Sequence, residues 1–319
     1  MAVKQQVIKD NYALYCGDCI EVLPTLPEAS VGFCVFSPPF AELYVFSDDP
    51  RDMSNNDYAG FFEHFDFLVG LLKKVMMPGR IVAVHCMDVP SYKRNGEEIG
   101  LKDFPGDIVR CFQKQGFIYH SRHCIWKDPL IAATRTKAIG LAHKQLVKDS
   151  VYSRMGIPDY ILAFRKEGEN TVPIKHEHGL IEYHGSKVVP PLRELKDDGY
   201  DSTKDRRSQW IWQQYASPVW MDIRQTRVLK NFRHAKESED GKHISPLQLD
   251  VVERCIELWS APGDVVLTPF GGIGTEAFVA VKNGRKAVLI ELKKSYFNQA
   301  AINVESAENK ATQNTMLEA

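Results

Sequence analysis

The chain has 319 residues, 44% of them hydrophobic, enough to bury a large core as one elaborated domain or as a domain with an insertion. A formal net charge of −1 excludes a globally basic nucleic-acid binder, so any contact with a polyanion must be built from local patches. The absence of an apolar opening segment and of any membrane-length run, with seven scattered cysteines, predicts a cytoplasmic protein with reduced thiols, no metal and no membrane contact.

In chain order, Ser30–Phe36 reads as a buried strand, and Ser37-Pro38-Pro39-Phe40 stands at its carboxyl end, where open α/β sheets build their sites. Proline lacks an N–H, so this loop presents the Ser37 hydroxyl and main-chain carbonyls as acceptors, with Phe40 a flat apolar face beside them. A helical apolar pattern runs from Tyr58 to Met76 and is ended by Pro78-Gly79, Arg80–Val84 is a strand, and Phe104–Gln115 a helix. Between apolar runs ending at Trp126 and spanning Tyr160–Phe164 lies a polar stretch with Arg135, Lys137, His143, Lys144, Lys148 and Arg154, a candidate basic patch.

From about Lys166 to Trp220 the pattern is irregular and carries an aromatic cluster, Trp210, Trp212, Tyr215 and Trp220, suited either to packing a small subdomain or to entering a groove. Arg224, Arg227, Lys230, Arg233 and Lys236 then recur every third residue with no acid among them, forming a basic strip along a helix or a loop. Leu247–Trp259 reads as a helix and Gly263–Leu267 as a buried strand. After that strand, Gly271, Gly272 and Gly274 allow a sharp turn and close ligand approach, and Thr275 caps a helix running through Asn283 and ended by Gly284. Lys286–Ile290 is a second strand, and Glu291 follows about 20 residues after the glycine turn, the place of a ribose-binding carboxylate in a nucleotide-binding strand–helix–strand unit. No Gly-Lys-Ser/Thr follows the turn, which sets phosphoryl transfer aside. The charged tail after about Ser306 is expected to fray. Alternating helices and strands predict an α/β fold with a doubly wound, mostly parallel sheet.

These residues carry a resemblance. Ser37-Pro38-Pro39-Phe40 resembles the Ser/Asp/Asn-Pro-Pro-aromatic catalytic motif of DNA methyltransferases that modify exocyclic amines, and Thr268-Pro269-Phe270-Gly271-Gly272-Ile273-Gly274-Thr275 resembles their cofactor motif. Catalytic motif first and cofactor motif last is the permuted order of the β class. Tyr15-Cys16-Gly17-Asp18-Cys19 and Lys242-His243-Ile244-Ser245-Pro246 resemble two further family segments. The chain departs from the family where its usual aspartate is Thr268 and where Ile244-Ser245 interrupt the Lys-His-Pro segment.

The resemblance implies a Rossmann-like methyltransferase fold with permuted motifs, its catalytic half in residues 1–165, a target-recognition insertion in 166–240, a cofactor-binding half in 241–306 and a flexible tail in 307–319. It implies S-adenosyl-L-methionine as cofactor, held by Asp18, His243, Ser245, Thr268, Phe270, Gly271, Gly272, Gly274, Thr275 and Glu291, with Ser37, Pro38, Pro39 and Phe40 at the reacting base. Double-stranded DNA is the implied substrate, contacted by Arg135, Lys137, Arg224, Arg227, Lys230 and Arg233, in a bacterial or phage setting that leaves open a homodimer and a cognate restriction endonuclease. The reaction implied is methyl transfer to the exocyclic amine of a flipped base, cytosine N4 in preference to adenine N6, because serine opens the catalytic motif. Carbon-5 methylation would need a thiolate nucleophile, and no Pro-Cys dipeptide of the kind that carries it occurs. A catalytically silent DNA-binding relative, suggested by Thr268, and a nicotinamide-dependent oxidoreductase stand as alternatives.

Overall fold

A computed structural model describes residues 3–41, 49, 51–91, 98, 100–130, 143–152, 156–191, 205–230 and 246–318, with side chains through residue 309. Its strands are β1 (Val3–Ile8), β2 (Tyr12–Gly17), β3 (Val31–Phe36), β4 (Met76–Met87), β5 (Val89–Ser91), β6 (Gly100–Lys102), β7 (Ile118–Ile125), β8 (Asp159–Arg165), β9 (Val219–Trp220), β10 (Val265–Thr268) and β11 (Lys286–Glu291). The helices are α1 (Cys19–Val22), α2 (Tyr58–Val75), α3 (Phe104–Lys114), α4 (His143–Lys148), α5 (Arg206–Ala216), α6 (Leu249–Trp259), α7 (Thr275–Lys282) and α8 (Lys294–Glu318). No helix among the described residues is long and apolar enough to cross a membrane.

Nine strands form one sheet in the order β1-β2-β11-β10-β3-β4-β8-β7-β9, and β5 pairs with β6 apart from it. The five strands from β2 to β4 in that order are parallel, while β1, β8 and β7 pair antiparallel with their inner neighbours. All six residues of β3 are buried, and the pleat sends Phe33 and Val35 to one face and Cys34 and Phe36 to the other. The first face packs against α6, α7 and α8, the second against α2 and α3, so both cores meet on the central strands. The chain leaves β10 toward β11 on one side and β3 toward β4 on the other. The topological switch point therefore lies between β3 and β10, and the crevice beyond their carboxyl ends is where open α/β sheets bind ligands.

Two sequence expectations change, and packing prevails where the aromatic cluster left two readings open. Helix α2 stops at Val75, where Met76 turns extended, and Pro78-Gly79 belong to β4 instead of ending the helix. The tail after Ser306 continues α8 to Glu318, because its alanines, glutamates and glutamine are good helix formers and Val304 and Ala307 anchor it in the core. The aromatic cluster is largely a packing device. Trp220 and Tyr215 are fully buried, the Trp220 indole donates to the Tyr215 carbonyl at 3.1 Å, and β9 joins the main sheet beside β7. Trp212, by contrast, is 57% exposed.

Candidate active site

A cavity of about 220 Å³ opens at the switch point, walled on one side by the exit of β3 and on the other by the turn after β10. The structure brings ten of the sequence-selected residues to it: Ser37, Pro38, Pro39 and Phe40 on the first wall, Phe270, Gly271, Gly272 and Thr275 on the second, with Asp18 and Glu291 between.

The first wall is rigid for local reasons. Two prolines fix their own φ, the chain turns through the left-handed region at buried Ala41 (φ 43°), and the Phe40 ring stands edge-on to Phe104 at 6.1 Å. Ser37 Oγ lies 3.0 Å from Nδ1 of His85 on β4. His85 Nε2 lies 3.1 Å from Oδ2 of Asp159, the first residue of β8, and Asp159 also accepts from the Lys127 ammonium. Burial alone would raise the Asp159 carboxyl, but Lys127 and His85 outweigh it and hold it at about 2.

On the second wall, Gly272 adopts φ 50° and its N–H donates to Glu291 Oε2 at 2.7 Å, while Lys293 N–H donates to Oε1 at 2.8 Å. The Glu291 carboxylate thus fixes the glycine turn from the end of β11. Gly271 is required for packing, since a Cβ there would sit 2.3 Å from Leu289. Gly274 (φ 88°) is the N-cap of α7 and closes against Ala300, so Thr275 is the first helical residue and not the expected cap. Thr268 is buried with its hydroxyl 3.5 Å from the Phe270 carbonyl, and neither Thr268 nor Gly274 lines the cavity.

Carboxyls gather on this side of the cavity, which Arg51 and Lys293 also line. Desolvation pushes Glu291 up to about 7 against its two hydrogen bonds, and pushes Glu276, in the first turn of α7, up to about 8. Glu276 is 5% exposed, lines the cavity, and receives no hydrogen bond from another residue among the described ones. Asp18 caps α1 by accepting from Ile20 N–H at 2.9 Å, and burial raises its carboxyl too. Such a set favours a ligand that brings positive charge and hydroxyl donors.

The basic strip differs from its sequence reading. Residues 224–230 are loop, with Arg224 bidentate on Asp250 at 2.9 and 2.6 Å and Arg227 shared between Asp250 and Glu253. Both acids are buried in α6, so these two cations are ion-paired within the protein, while Lys230 is exposed. Arg135, Lys137, Arg233, His243 and Ser245 lie outside the described residues.

Four residues of the site carry no assignment from sequence: His85, Asp159, Lys127 and Glu276. One signal was present, since His85 is a polar residue inside the buried run Val82-Ala83-Val84-His85-Cys86, one position past the strand read from the pattern.

With sheet, switch point and cavity in place, the class is defined by comparison. The DNA methylase family of N6/N4 type matches residues 31–302, and the chain belongs to it. Its relatives include the type II methyltransferase M.BamHI of Bacillus amyloliquefaciens, 22% identical over 292 residues that cover 91% of this chain and 56% of the relative. Another is M1.MboII of Moraxella bovis, 44% identical over 73 residues that cover 21% of this chain and 28% of the relative. The chain thus spans about half the length, or less, of these relatives. The fold is shared with the Thermus thermophilus protein TTHA0409 complexed with S-adenosyl-L-methionine (TM-score 0.61, 23% identity, covering 92% of this chain and 93% of that one). It is shared also with the cytosine-N4-specific PvuII DNA methyltransferase (TM-score 0.62, 15% identity, covering 98% and 95%).

Proposed function

We propose that this chain transfers a methyl group from S-adenosyl-L-methionine to the exocyclic amine of a base flipped out of double-stranded DNA, with cytosine N4 as the preferred acceptor and adenine N6 as the alternative. One observation carries the reading: the Ser37-Pro38-Pro39-Phe40 loop and the glycine turn with Glu291 face each other across one cavity at the switch point.

The residues fit such a cofactor. Glu291 and Asp18 offer acceptors to a ribose diol, Phe270 gives an apolar face, and the solitary Glu276 carboxyl is placed for a cation. The cofactor supplies an electrophilic methyl group on a sulfonium. Ser37 and the Pro38 carbonyl accept hydrogen bonds from the amine, drawing its lone pair out of conjugation with the ring and stabilising the positive charge that develops on nitrogen. Phe40 stacks on the base, and the stiff loop holds the amine in line with the methyl group. Thr268 does not disqualify the site, because Glu276 supplies a carboxyl on the same wall.

DNA contact is proposed for Lys230 and for the basic residues of 131–142 and 231–245, with Arg224 and Arg227 holding the loop 224–230 that carries Lys230. Trp212, on the exposed face of α5, is an aromatic of the cluster that could meet a groove.

Methylated nucleosides test the function. The purified protein is incubated with S-adenosyl-L-methionine and unmethylated DNA, which is digested and resolved by mass spectrometry. N4-methylcytosine is expected. N6-methyladenine keeps the mechanism and reassigns the base, and no methylated nucleoside contradicts the proposal.

A further inference from the structure

The Ser37 hydroxyl does not end at the cavity wall. Behind it runs a chain of polar groups from three other segments: His85 in β4, Asp159 opening β8, and Lys127 just after β7. His85 and Asp159 are 7% and 3% exposed, so the middle of the chain lies within the protein, between Ser37 at the cavity and the part-exposed Lys127 at its far end.

Its polarity follows from chemistry. Lys127 can only donate, which leaves Asp159 an ionised acceptor, and Asp159 holds its proton only at strongly acid pH. His85 Nε2 is fully buried and meets no hydrogen-bond partner of straight geometry. Asp159 Oδ2 lies 3.1 Å from it, the acceptor that a small turn of the ring would bring into line with an N–H there. A proton on Nε2 leaves Nδ1 of the neutral ring as an acceptor, so the Ser37 O–H donates to Nδ1 across 3.0 Å. With its hydrogen turned inward, Ser37 Oγ shows lone pairs alone to the cavity.

We propose that His85, oriented by Asp159 and Lys127, is a positioning residue that makes Ser37 an obligate acceptor for the substrate amine and takes up the proton released by methyl transfer. This rests on the function proposed above. As the methyl carbon leaves sulfur, sulfur keeps the bonding pair and becomes a neutral thioether, while the amine nitrogen forms the new bond and carries the positive charge. The nitrogen then loses one proton to Ser37 Oγ as the Ser37 proton passes to His85 Nδ1, giving an imidazolium beside the Asp159 carboxylate. That proton passes to water when the product leaves. The opposite tautomer would point the Ser37 hydrogen at the amine, where donor would face donor.

Two measurements test the relay. Imidazole 15N spectra of the protein, with His85→Gln used to identify the signal, report the tautomer without needing activity. Protonated Nε2 with bare Nδ1 at neutral pH is expected, and protonated Nδ1 overturns the proposal. In methyl-transfer assays His85→Gln should lower kcat about 10- to 100-fold with little change in KM for the cofactor, as befits a lost proton acceptor. Full kcat in the variant overturns the relay while leaving the function intact. A wild-type protein with the expected tautomer but no transfer overturns the function instead, and with it the catalytic part of this inference.

Discussion

The two strand exits that face the cavity solve different problems. After β3, prolines and a left-handed residue freeze a short loop whose polar atoms are acceptors, backed by a row of polar side chains that starts at His85. After β10, glycines let the backbone fold tightly against β11 and α8, and carboxyls that burial keeps hard to ionise surround the turn. One wall is shaped for an amine that must give up a proton, the other for a ligand that arrives with positive charge. Chemistry and cofactor binding should therefore separate by mutation.

The largest expected effect is at the first wall. Ser37→Ala removes an acceptor used in the transition state and should lower kcat by about 10²-fold or more, with cofactor affinity nearly unchanged, as read by single-turnover transfer and calorimetry. Glu291→Ala does the converse, weakening cofactor binding by roughly 10- to 100-fold through lost hydrogen bonds and a loosened Gly272 turn, while kcat at saturating cofactor falls less. Equal loss of kcat and affinity in both variants would erase the distinction between the walls.

Acidity sharpens the second wall. The native cofactor-free protein keeps a proton on Glu276 up to about pH 8, whereas the unfolded chain releases it near pH 4.3. Between those values the native state binds more protons, so this group makes the empty protein less stable as pH rises. Glu276→Gln should match the wild type in thermal unfolding at acid pH, then gain a widening advantage through the neutral range, while binding the cationic cofactor more weakly. A constant difference at every pH would show that Glu276 does not titrate as described.

Two smaller effects separate fold from DNA contact. Arg227→Ala leaves buried Glu253 and Asp250 short of a partner and should cost about 1–3 kcal/mol in denaturant unfolding, tempered by the remaining Arg224, His184 and Lys282 partners. It should hardly move the salt dependence of DNA binding. Lys230→Ala should do the reverse, reducing the slope of log affinity against log salt by about 1 without loss of stability.

The sequence carried much of this frame because the signals were local. Strand β3 is buried on both faces and reads as a continuous apolar run, and the loops that build both walls directly follow their strands. Pairings across the chain were hidden. Arg224 and Arg227 looked like a free basic strip because the acid they share, Asp250, stands on α6, 26 and 23 residues further along the chain. Ser37 and His85 are 48 residues apart, and Lys127 and Asp159 are 32 apart, so only the sheet order brings the relay together. The tail's charge masks a helix propensity and apolar anchors that carry the last helix on to Glu318.

The separation of the two walls is tested most directly by measuring cofactor affinity and single-turnover methyl transfer in the same preparation of Ser37→Ala. The account predicts wild-type affinity for S-adenosyl-L-methionine with transfer reduced by about 10²-fold or more. Wild-type transfer, or loss of affinity in proportion to the rate, would contradict it.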